Sequence, residues 1–292
     1  MTIAISLKVN DGVVLAADSA STLVVRGLSA DSSQGSVANV YVNANKVFNL
    51  LKGSPIGLIT WGSGAIGNAS ISTLAKDLRR RFAGEDPQHR DWVLGTPGKN
   101  QNYTIEAVAH RVRQFMFEEQ YQTVLSAWPE NQRPALGFIV AGYSSGETMA
   151  EEYQVIIQNG SCEEPKEVRP KEASGVTWFG QGEAITRLMF GVSSLTSVVL
   201  QQSLGVPKEQ LEPAVEVLKQ ALQAPLVMPP MPIQDAIDLA EFLVDLTIKF
   251  TRFMPGTKVV GGPIEIAAIT KHEGFKWVKR KFYYSREQNP ED

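Results

Sequence analysis

The sequence is short of the residue types on which several common kinds of site depend. Its only cysteine is Cys162, which excludes a disulfide within the chain, a zinc site built from cysteines and an iron–sulfur cluster. The three histidines, His89, His110 and His272, have no companions at the spacing of metal ligands, so we expect neither a metal nor a cofactor. By number alone they leave a serine–histidine–aspartate triad open, but no GxSxG elbow accompanies one.

Other absences bear on partners and location. No run of about 18 apolar residues is present, so no membrane span is predicted, and the N-terminus lacks the charged leader and apolar core of a signal peptide. A net charge of −3 gives no electrostatic reason to expect nucleic acid. The one compact basic run, Arg79-Arg80-Arg81, is interpreted as a solvated helix face, with a subunit contact as the alternative. We therefore expect a cytoplasmic protein without membrane or nucleic-acid partners.

The N-terminus carries a candidate nucleophile. Thr2 follows Met1 directly. Once Met1 is removed, this threonine would hold a hydroxyl and a free α-amine on one residue, which is a nucleophile with its own base. The unperturbed pKa of an α-amine is about 7.7–8.0, so the amine can accept the hydroxyl proton near neutral pH. We expect no propeptide, so that activation needs only the removal of Met1.

A turn signal follows the first apolar run. Asn10-Asp11-Gly12 separates two apolar runs, which predicts a β-hairpin. A two-residue loop at Asp11-Gly12 would place Asp18 on the same face as Ile3. A three-residue loop with Gly12 in the left-handed region would instead pair Val9 with Val13. We prefer the second register because it separates apolar from polar side chains better.

The preferred register relates Thr2 to an acidic residue. It places Asp18 diagonally across from Thr2 at about 7–8 Å, which leaves room for a group between them. Lys8 shares their face but lies about 20 Å from Thr2 along the strand. A lysine that serves Thr2 must therefore come from elsewhere in the chain.

Several segments taken together resemble a known family. The run from Thr2 to Ser19, including the spacing between Thr2 and Asp18, resembles the mature start of a proteasome β-type subunit, which is an N-terminal-nucleophile hydrolase. Later segments resemble other motifs of that family and occur in the same order: Asn45-Lys46-Val47-Phe48, Gly62-Ser63-Gly64-Ala65, Leu136–Tyr143, Phe179-Gly180-Gln181-Gly182 and Val260–Ile264. The first motif is fairly specific and the others are weak alone, but the resemblance spans most of the chain.

The resemblance implies a reaction and a site. It implies a threonine peptidase in which the Thr2 hydroxyl attacks an amide carbonyl, beside a Lys46 ammonium that Asp18 holds in place. The backbone N–H of Gly62 would stabilise the oxyanion. Ala44, Thr60 and Gly64 match specificity-pocket positions of the family and imply a roomy, uncharged pocket. Ser21 and Thr22 are the other two implied substrate-binding residues. The implied substrates are peptides or unfolded proteins, and the implied assembly is a ring or spiral of identical copies. Whether an unfoldase ATPase acts with it is left open.

Four departures from the family pattern weaken the implied activity. Ala20 stands where the family has an arginine, and Gln181 stands where it has a serine. Val260 replaces another serine and Thr257 replaces an aspartate. In the family the last three positions orient and polarise the threonine amine. Two alternatives therefore stay open: a catalytically inactive structural subunit of a proteasome-like ring, and an amidase of the same superfamily that acts on a small molecule.

The order of the predicted elements indicates an α+β fold. Periodicity predicts strands near 3–9, 13–18, 46–50, 55–61, 135–142, 153–158, 174–179, 264–270 and 275–283, and helices near 65–82, 104–124, 183–203, 208–223 and 233–253. The stretch from Arg26 to Asn43 is predicted to be an extended loop. This order suits a four-layer αββα sandwich, with two antiparallel sheets between helical layers and an enlarged C-terminal helical segment. We expect residues 1–292 to form a single domain, because the proline-rich break after residue 223 is too short for an interdomain linker.

Overall fold

The computed structural model describes residues 2–25, 36–95 and 101–281. Within these residues the strands are β1 (Ile3–Val9), β2 (Gly12–Ala17), β3 (Ser21–Val25), β4 (Ser36–Tyr41), β5 (Val47–Asn49), β6 (Ile56–Gly62), β7 (Ala65–Ile66), β8 (Ala69–Ser70), β9 (Leu136–Gly142), β10 (Glu151–Gln158), β11 (Ser161–Cys162), β12 (Lys166–Glu167), β13 (Gly175–Gly180), β14 (Glu265–Thr270) and β15 (Gly274–Lys279). The α-helices are α1 (Ile71–Phe82), α2 (Ile105–Arg113), α3 (Thr123–Leu125), α4 (Glu183–Phe190), α5 (Thr196–Leu204), α6 (Lys208–Leu222) and α7 (Ile233–Phe253). Short 3-10 helices cover Pro87–Trp92 and Glu130–Gln132, and Gln114–Gln122 is π-helical between α2 and α3.

Two antiparallel sheets form the centre of the described fold. The first has the strand order β13-β1-β2-β14-β15, so the strand that follows Thr2 is interior to its sheet. The second has the order β11-β10-β9-β6-β5, and β12 pairs with β10 as well. The hairpins β3–β4 and β7–β8 form two separate small sheets. The predicted combination of antiparallel sheets with helices is therefore confirmed.

Three apolar clusters hold these elements together. One cluster contains buried side chains from both sheets, among them Leu15 of β2 and Ile139 of β9. A second joins the second sheet to α1 and α2, and a third joins the first sheet to α4 and α7. Successive residues of a strand point to opposite faces, so each sheet has apolar side chains buried on both faces.

The hairpin formed by β1 and β2 differs in register from the prediction. Val9 lies opposite Gly12 and Ala4 lies opposite Ala17, so the two-residue turn is Asn10-Asp11. Both registers considered from the sequence are therefore wrong. The choice by polarity failed because the two faces of this hairpin are both buried and apolar, so separation of apolar from polar residues carries no information about register here.

Three other predicted boundaries also shift. The hairpin β7–β8 occupies the start of the first predicted helix, so α1 begins at Ile71 with Ser70 as its N-cap. The helix predicted over 183–203 is divided, because Gly191 with a φ of 63° ends α4 before α5 begins. The predicted loop contains β4, which pairs with β3. Residues 26–35 of that loop, and residues 282 and 283 of the last predicted strand, lie outside the described residues.

In the C-terminal helical segment, α4 and α7 contain buried residues and α5 and α6 do not. The prediction of a helix over 233–253 is confirmed, and α7 buries Ile237, Ala240 and Val244 against β1 and β2. In contrast, α5 and α6 contain no buried residue. No helix among the described ranges is both long enough and apolar enough to cross a membrane.

Candidate active site

A buried carboxylate lies at the end of β2, where the first sheet meets the N-terminus of the chain. Asp18 is fully buried, with 0% of its surface exposed. Its two oxygens accept five hydrogen bonds: from Thr2 Oγ1 at 2.6 Å, Lys46 Nζ at 2.5 Å, and the backbone nitrogens of Ile3, Ala20 and Gly261, each at 3.0 Å. A buried charge is tolerated only when it is paired and hydrogen-bonded, and Asp18 meets both conditions.

Thr2 is held by backbone contacts on both sides. Its carbonyl accepts a hydrogen bond from the Gln181 backbone N–H at 2.8 Å, and the next residue donates to Asp18. Gly180, which lies opposite Ile3 in the β1–β13 ladder, has a φ of 94°, and a Cβ there would lie 1.9 Å from the Thr2 carbonyl oxygen. Only glycine fits such a conformation and such an approach. The Thr2 hydroxyl is thereby directed at Asp18.

The predicted relation between Thr2 and Asp18 needs a correction. Their side chains are in direct hydrogen-bond contact at 2.6 Å, so no gap separates them. Lys46 does not lie between them: its ammonium and the Thr2 hydroxyl contact the same oxygen, Oδ1 of Asp18. The error has the same origin as the wrong register, which placed Asp18 diagonally rather than beside the start of β1.

Lys46 enters the site from the segment before β5. Its backbone is fixed at both ends, because its N–H donates to Glu265 Oε2 at 3.1 Å and its carbonyl accepts from Thr60 N at 3.0 Å. The residue is 7% exposed. Burial lowers the pKa of Lys46 below the usual lysine value; Lys281 also lowers it, whereas Asp18 and Glu265 raise it.

A second lysine with a buried side chain, Lys281, lies near the first, and the sequence did not single it out. Lys281 Nζ donates to Ser19 Oγ at 2.7 Å and to the Ala44 carbonyl at 2.5 Å, and lies 3.5 Å from Glu265 Oε2. Burial lowers the pKa of Lys281, and Glu265 and Asp18 oppose this shift. No motif marks Lys281, because it follows the last strand at a position where a solvated lysine is the ordinary expectation.

Thr2 and Lys46 border a cleft of about 550 Å³. Its lining includes eight of the nine residues predicted for the site: Thr2, Ser21, Thr22, Ala44, Lys46, Thr60, Gly62 and Gly64. The ninth, Asp18, lies buried beneath. Sequence reasoning missed several other lining residues: Asn43, Asn45, Ser63, Ser70, Ile71, Ser72, Thr73 and Lys76. Those from 70 to 76 belong to the start of α1, whose approach to Thr2 depends on tertiary packing and has no local signal.

Gly62 ends β6 at the edge of this cleft. Its φ is 86°, and a Cβ there would lie 2.5 Å from the Ala135 carbonyl oxygen, so glycine is required by conformation and by space. The preceding residue, Trp61, stacks on Phe179 with ring centroids 3.8 Å apart and packs against Gly137. The large side chain at position 61 therefore joins β6 of one sheet to β13 of the other.

The four departures occupy different environments. Ala20 is buried and lines the cleft, and its N–H binds Asp18. Val260 packs in the apolar cluster around α7, and Thr257 is exposed. Beside Val260, the Gly261 N–H reaches Asp18 Oδ2. Position 181 contributes its backbone N–H to Thr2. The backbone N–H groups of Ala20 and Gly261 therefore donate to Asp18, and that of Gln181 donates to Thr2.

The part of the chain that the structure describes contains no set of side chains suited to bind a metal ion. Within residues 2–25, 36–95 and 101–281, no three acidic, histidine or cysteine side chains come together as a metal site. The lone cysteine, Cys162, is buried, and burial raises the pKa of its thiol to about 11.

Comparison with known proteins gives a relation of fold. No protein-family model matches the sequence, and no curated protein matches it either. Among solved structures, the chain is similar to Anbu, a proteasome-like protein related to N-terminal-nucleophile hydrolases, solved as the Gly-1 mutant from Hyphomicrobium sp. strain MC1. The identity is 14% and the TM-score 0.51, with 98% of this chain and 91% of the other covered. The chain therefore has a fold similar to the proteasome-like fold of Anbu.

Proposed function

We propose that the protein is a proteasome-like threonine peptidase that cleaves amide bonds of peptides with Thr2 as its nucleophile, after Met1 is removed. The observation that carries the proposal is the contact of Thr2 Oγ1 and Lys46 Nζ with one oxygen of buried Asp18, at 2.6 and 2.5 Å, beside an open cleft. A hydroxyl next to a carboxylate–ammonium pair, on a residue that can also supply a base, is the arrangement of an activated nucleophile. The similarity of fold to Anbu supports the same class of protein.

The proposed reaction proceeds through an acyl-enzyme. The α-amine of Thr2 takes the hydroxyl proton while Oγ1 forms a bond to the substrate carbonyl carbon. The resulting oxyanion accepts a hydrogen bond from the Gly62 N–H, and loss of one such donor typically costs about 2.7–4 kcal/mol. The C–N bond then breaks, the leaving amine takes the proton from the α-ammonium, and an ester remains on Thr2. Water, deprotonated by the same amine, hydrolyses that ester and restores the hydroxyl.

Lys46 and Asp18 have electrostatic roles in this proposal. A cation beside Thr2 lowers the pKa of both the hydroxyl and the amine, and Asp18 keeps the ammonium in place. While Met1 is attached, the Thr2 nitrogen is an amide and cannot act as a base. We expect the hydroxyl to turn from Asp18 toward the amine once Met1 is gone, which makes methionine removal the activating step.

The proposal extends to architecture and assembly. The three apolar clusters support a single domain over residues 1–292 arranged as a four-layer αββα sandwich. The helices α5 and α6 expose large apolar side chains, including Val199, Leu204 and Val217, which supports contacts between identical copies in a ring or spiral. Light scattering at micromolar concentration tests this, and a monomer there would contradict the assembly while leaving the reaction untouched.

Covalent labelling tests the nucleophile. An epoxyketone-type probe reacts with a hydroxyl and an adjacent amine on the same residue, so the full chain should gain the mass of one probe on Thr2 and should lack Met1. Thr2→Ser should still be labelled, whereas Thr2→Ala should not be labelled and should keep the wild-type fold. A purified protein that retains Met1 in every molecule and takes up no probe would contradict the proposal.

A second candidate is a catalytically inactive subunit of a proteasome-like ring. The exposure of Thr257 and the packing of Val260 in an apolar cluster favour it, because neither residue offers a side chain to the Thr2 amine. Assembly into rings together with complete retention of Met1 would support this candidate over the peptidase. Hydrolysis of small amides with no cleavage of peptides would instead support an amidase of the same superfamily.

A further inference from the structure

Lys281 and Glu265 form a buried ion pair beside the segments that carry Asp18 and Lys46. The side chains are 6% and 2% exposed, and Lys281 Nζ lies 3.5 Å from Glu265 Oε2. Neither residue lines the cleft, and neither has a part in the reaction described above. Two charged groups removed from water cost free energy that an ion pair only partly restores, so their presence at this place calls for an explanation.

The pair connects the two segments that carry the candidate catalytic side chains. Lys281 Nζ donates to Ser19 Oγ, in the residue after Asp18, and to the carbonyl of Ala44, two residues before Lys46. Glu265 Oε2 accepts the backbone N–H of Lys46 at 3.1 Å. Through these contacts the Lys281–Glu265 pair holds both the residue after Asp18 and the segment that leads into Lys46.

Additional bonds make this connection rigid. The Ser19 hydroxyl accepts from Lys281 and donates to the Pro263 carbonyl at 2.5 Å. The Ser19 carbonyl accepts from Ala44 N at 2.9 Å, so the two segments are also joined directly. The other partners in these contacts are the Ser19 hydroxyl and backbone N–H and carbonyl groups, which are neutral. Lys281 and Glu265 therefore supply the charges in this set of contacts.

We propose that Lys281 is a positioning residue for the proposed hydrolase, whose ammonium, paired with Glu265, holds the Asp18 and Lys46 segments at the separation that the reaction needs. This inference rests on the proposed function. Lys281 lies at the end of the described chain, two residues beyond β15. No sequence motif indicates a role for it.

The charges of this pair should also act on Lys46. The charged groups that face Lys46 are Asp18, Glu265 and Lys281; the first two raise its pKa and Lys281 lowers it. Loss of the Lys281 charge should therefore raise the pKa of Lys46, and loss of the Glu265 charge should lower it. Because Lys46 acts as an ammonium, the alkaline limb of the activity profile should move with its pKa, in opposite directions for the two changes.

The test is the rate of Thr2 labelling by the epoxyketone-type probe as a function of pH, in the full chain. Lys281→Met should lower the rate constant by about 10- to 100-fold, since small displacements of reacting groups have effects of that size, and should move the alkaline limb to higher pH. Glu265→Gln should move the limb to lower pH. Lys281→Arg keeps the charge and should recover most of the rate.

Lys279→Met is the matched control. Lys279 lies two residues before Lys281, pairs with Glu241 at the surface and is 52% exposed, so its loss should change neither rate nor pH profile. If the wild type is labelled and Lys281→Met keeps the wild-type rate and alkaline limb, the inference is overturned and the proposed function stands. If Lys281→Met does not fold, a limb in Glu265→Gln that stays in place or moves upward overturns it. Absence of labelling in the wild type would overturn the proposed function and the inference with it.

Discussion

The two ends of β1 each carry buried charges, and their comparison shows what distinguishes a candidate active site from a structural one. Near Thr2 the charges are those of Asp18 and Lys46. Six residues along the chain lies Lys8, which is 2% exposed and belongs to a group that we term the far cluster, comprising Lys8, Glu152 and Arg169. Both groups are built around a lysine and a carboxylate between the same two sheets.

The far cluster is closed by the chain itself. Lys8 Nζ donates to the carbonyls of Lys171 and Pro170 at 2.8 and 3.3 Å. Arg169 Nε lies 2.7 Å from Glu152 Oε2, but its N–H is poorly aligned with that oxygen, so the contact is ionic rather than a hydrogen bond. Glu152 also accepts from the Ser6 hydroxyl at 2.5 Å. These contacts fasten β1 to β10 and to the segment before β13.

A lowered lysine pKa is common to both ends. Burial is the largest cause of the shift for Lys8 and for Lys46 alike. Perturbed titration is therefore not what marks the end near Thr2, although such groups are often taken as indicators of function. The difference is that the end near Thr2 adds a hydroxyl in contact with the pair and a cleft of about 550 Å³ lined by Thr2 and Lys46.

Substitution of the two lysines should separate these roles most sharply. Lys46→Met should lower turnover by about a thousandfold or more, because groups that act as a unit with the nucleophile have effects of that order. Lys8→Met should leave turnover per folded molecule unchanged and lower the free energy of unfolding by about 1–3 kcal/mol, since it leaves buried carbonyls without a donor. Peptide hydrolysis and denaturant unfolding measure the two effects.

The distinction between the two ends would be wrong if Lys46→Met and Lys8→Met gave each other's expected results. Full turnover in Lys46→Met would remove Lys46 from the mechanism, and a large loss of turnover in folded Lys8→Met would show that the far cluster takes part in it. Lys52→Met changes an exposed lysine outside both groups and should leave both measurements at their wild-type values.

Much of the fold could be predicted because it follows from the periodicity of the apolar residues and from the order of the elements along the chain. The strand runs of β6, β9 and β14 and the helix α7 have apolar spacing that belongs to one kind of element, and all of them form near the predicted positions. The register of β1 on β2 could not be predicted in the same way. It depends on which side chains meet the other sheet and which meet α7, and both sets are apolar.

The candidate site divides along a similar line. Thr2, Asp18 and Lys46 were predicted from motifs, and the structure brings their side chains together. Lys281, Glu265 and the start of α1 were missed, because each reaches the site from an element distant in sequence. A lysine after the last strand looks like any solvated lysine until its partners, Ser19 and Ala44, are known.

The pH dependence of stability should sharpen the comparison further. The pKa of Lys8 is lowered by burial from the usual value of 10.5, so the folded protein releases this proton before the unfolded chain does. Between the folded and unfolded pKa values the unfolded state holds more protons, and the contribution of Lys8 to the free energy of unfolding therefore rises with pH.

Denaturant unfolding of the wild type and Lys8→Met at several pH values measures this contribution. The difference, wild type minus variant, should grow as the pH is raised from 7 toward 10.5, the usual lysine value. Subtraction removes the other titrating groups, including Tyr103, whose pKa burial raises to about 12. If the difference in the free energy of unfolding stays constant or falls with pH, burial does not lower the pKa of Lys8 in the folded protein.

The smallest expected effect concerns the cleft, the feature that sets the end near Thr2 apart. Among the residues that the structure describes, two charged ones line it: Lys46, which Asp18 neutralises, and Lys76, which is exposed on α1 on the same helix face as Ser72 and Thr73. None of the described residues that line the cleft is acidic. Substrates with an acidic side chain near the scissile bond should therefore be cleaved about two- to fivefold faster than matched lysine substrates, which is the size of an exposed ion pair.

Lys76→Ala should abolish this preference, and Lys52→Ala, at an exposed position away from the cleft, should preserve it. The specificity constant, kcat/KM, for matched peptides measures it at low and high salt. Because Lys76 is solvated, the preference should fade as ionic strength rises and the Debye length shortens. A preference for lysine substrates, or one that survives in Lys76→Ala, would mean that another part of the chain sets the charge that the cleft accepts.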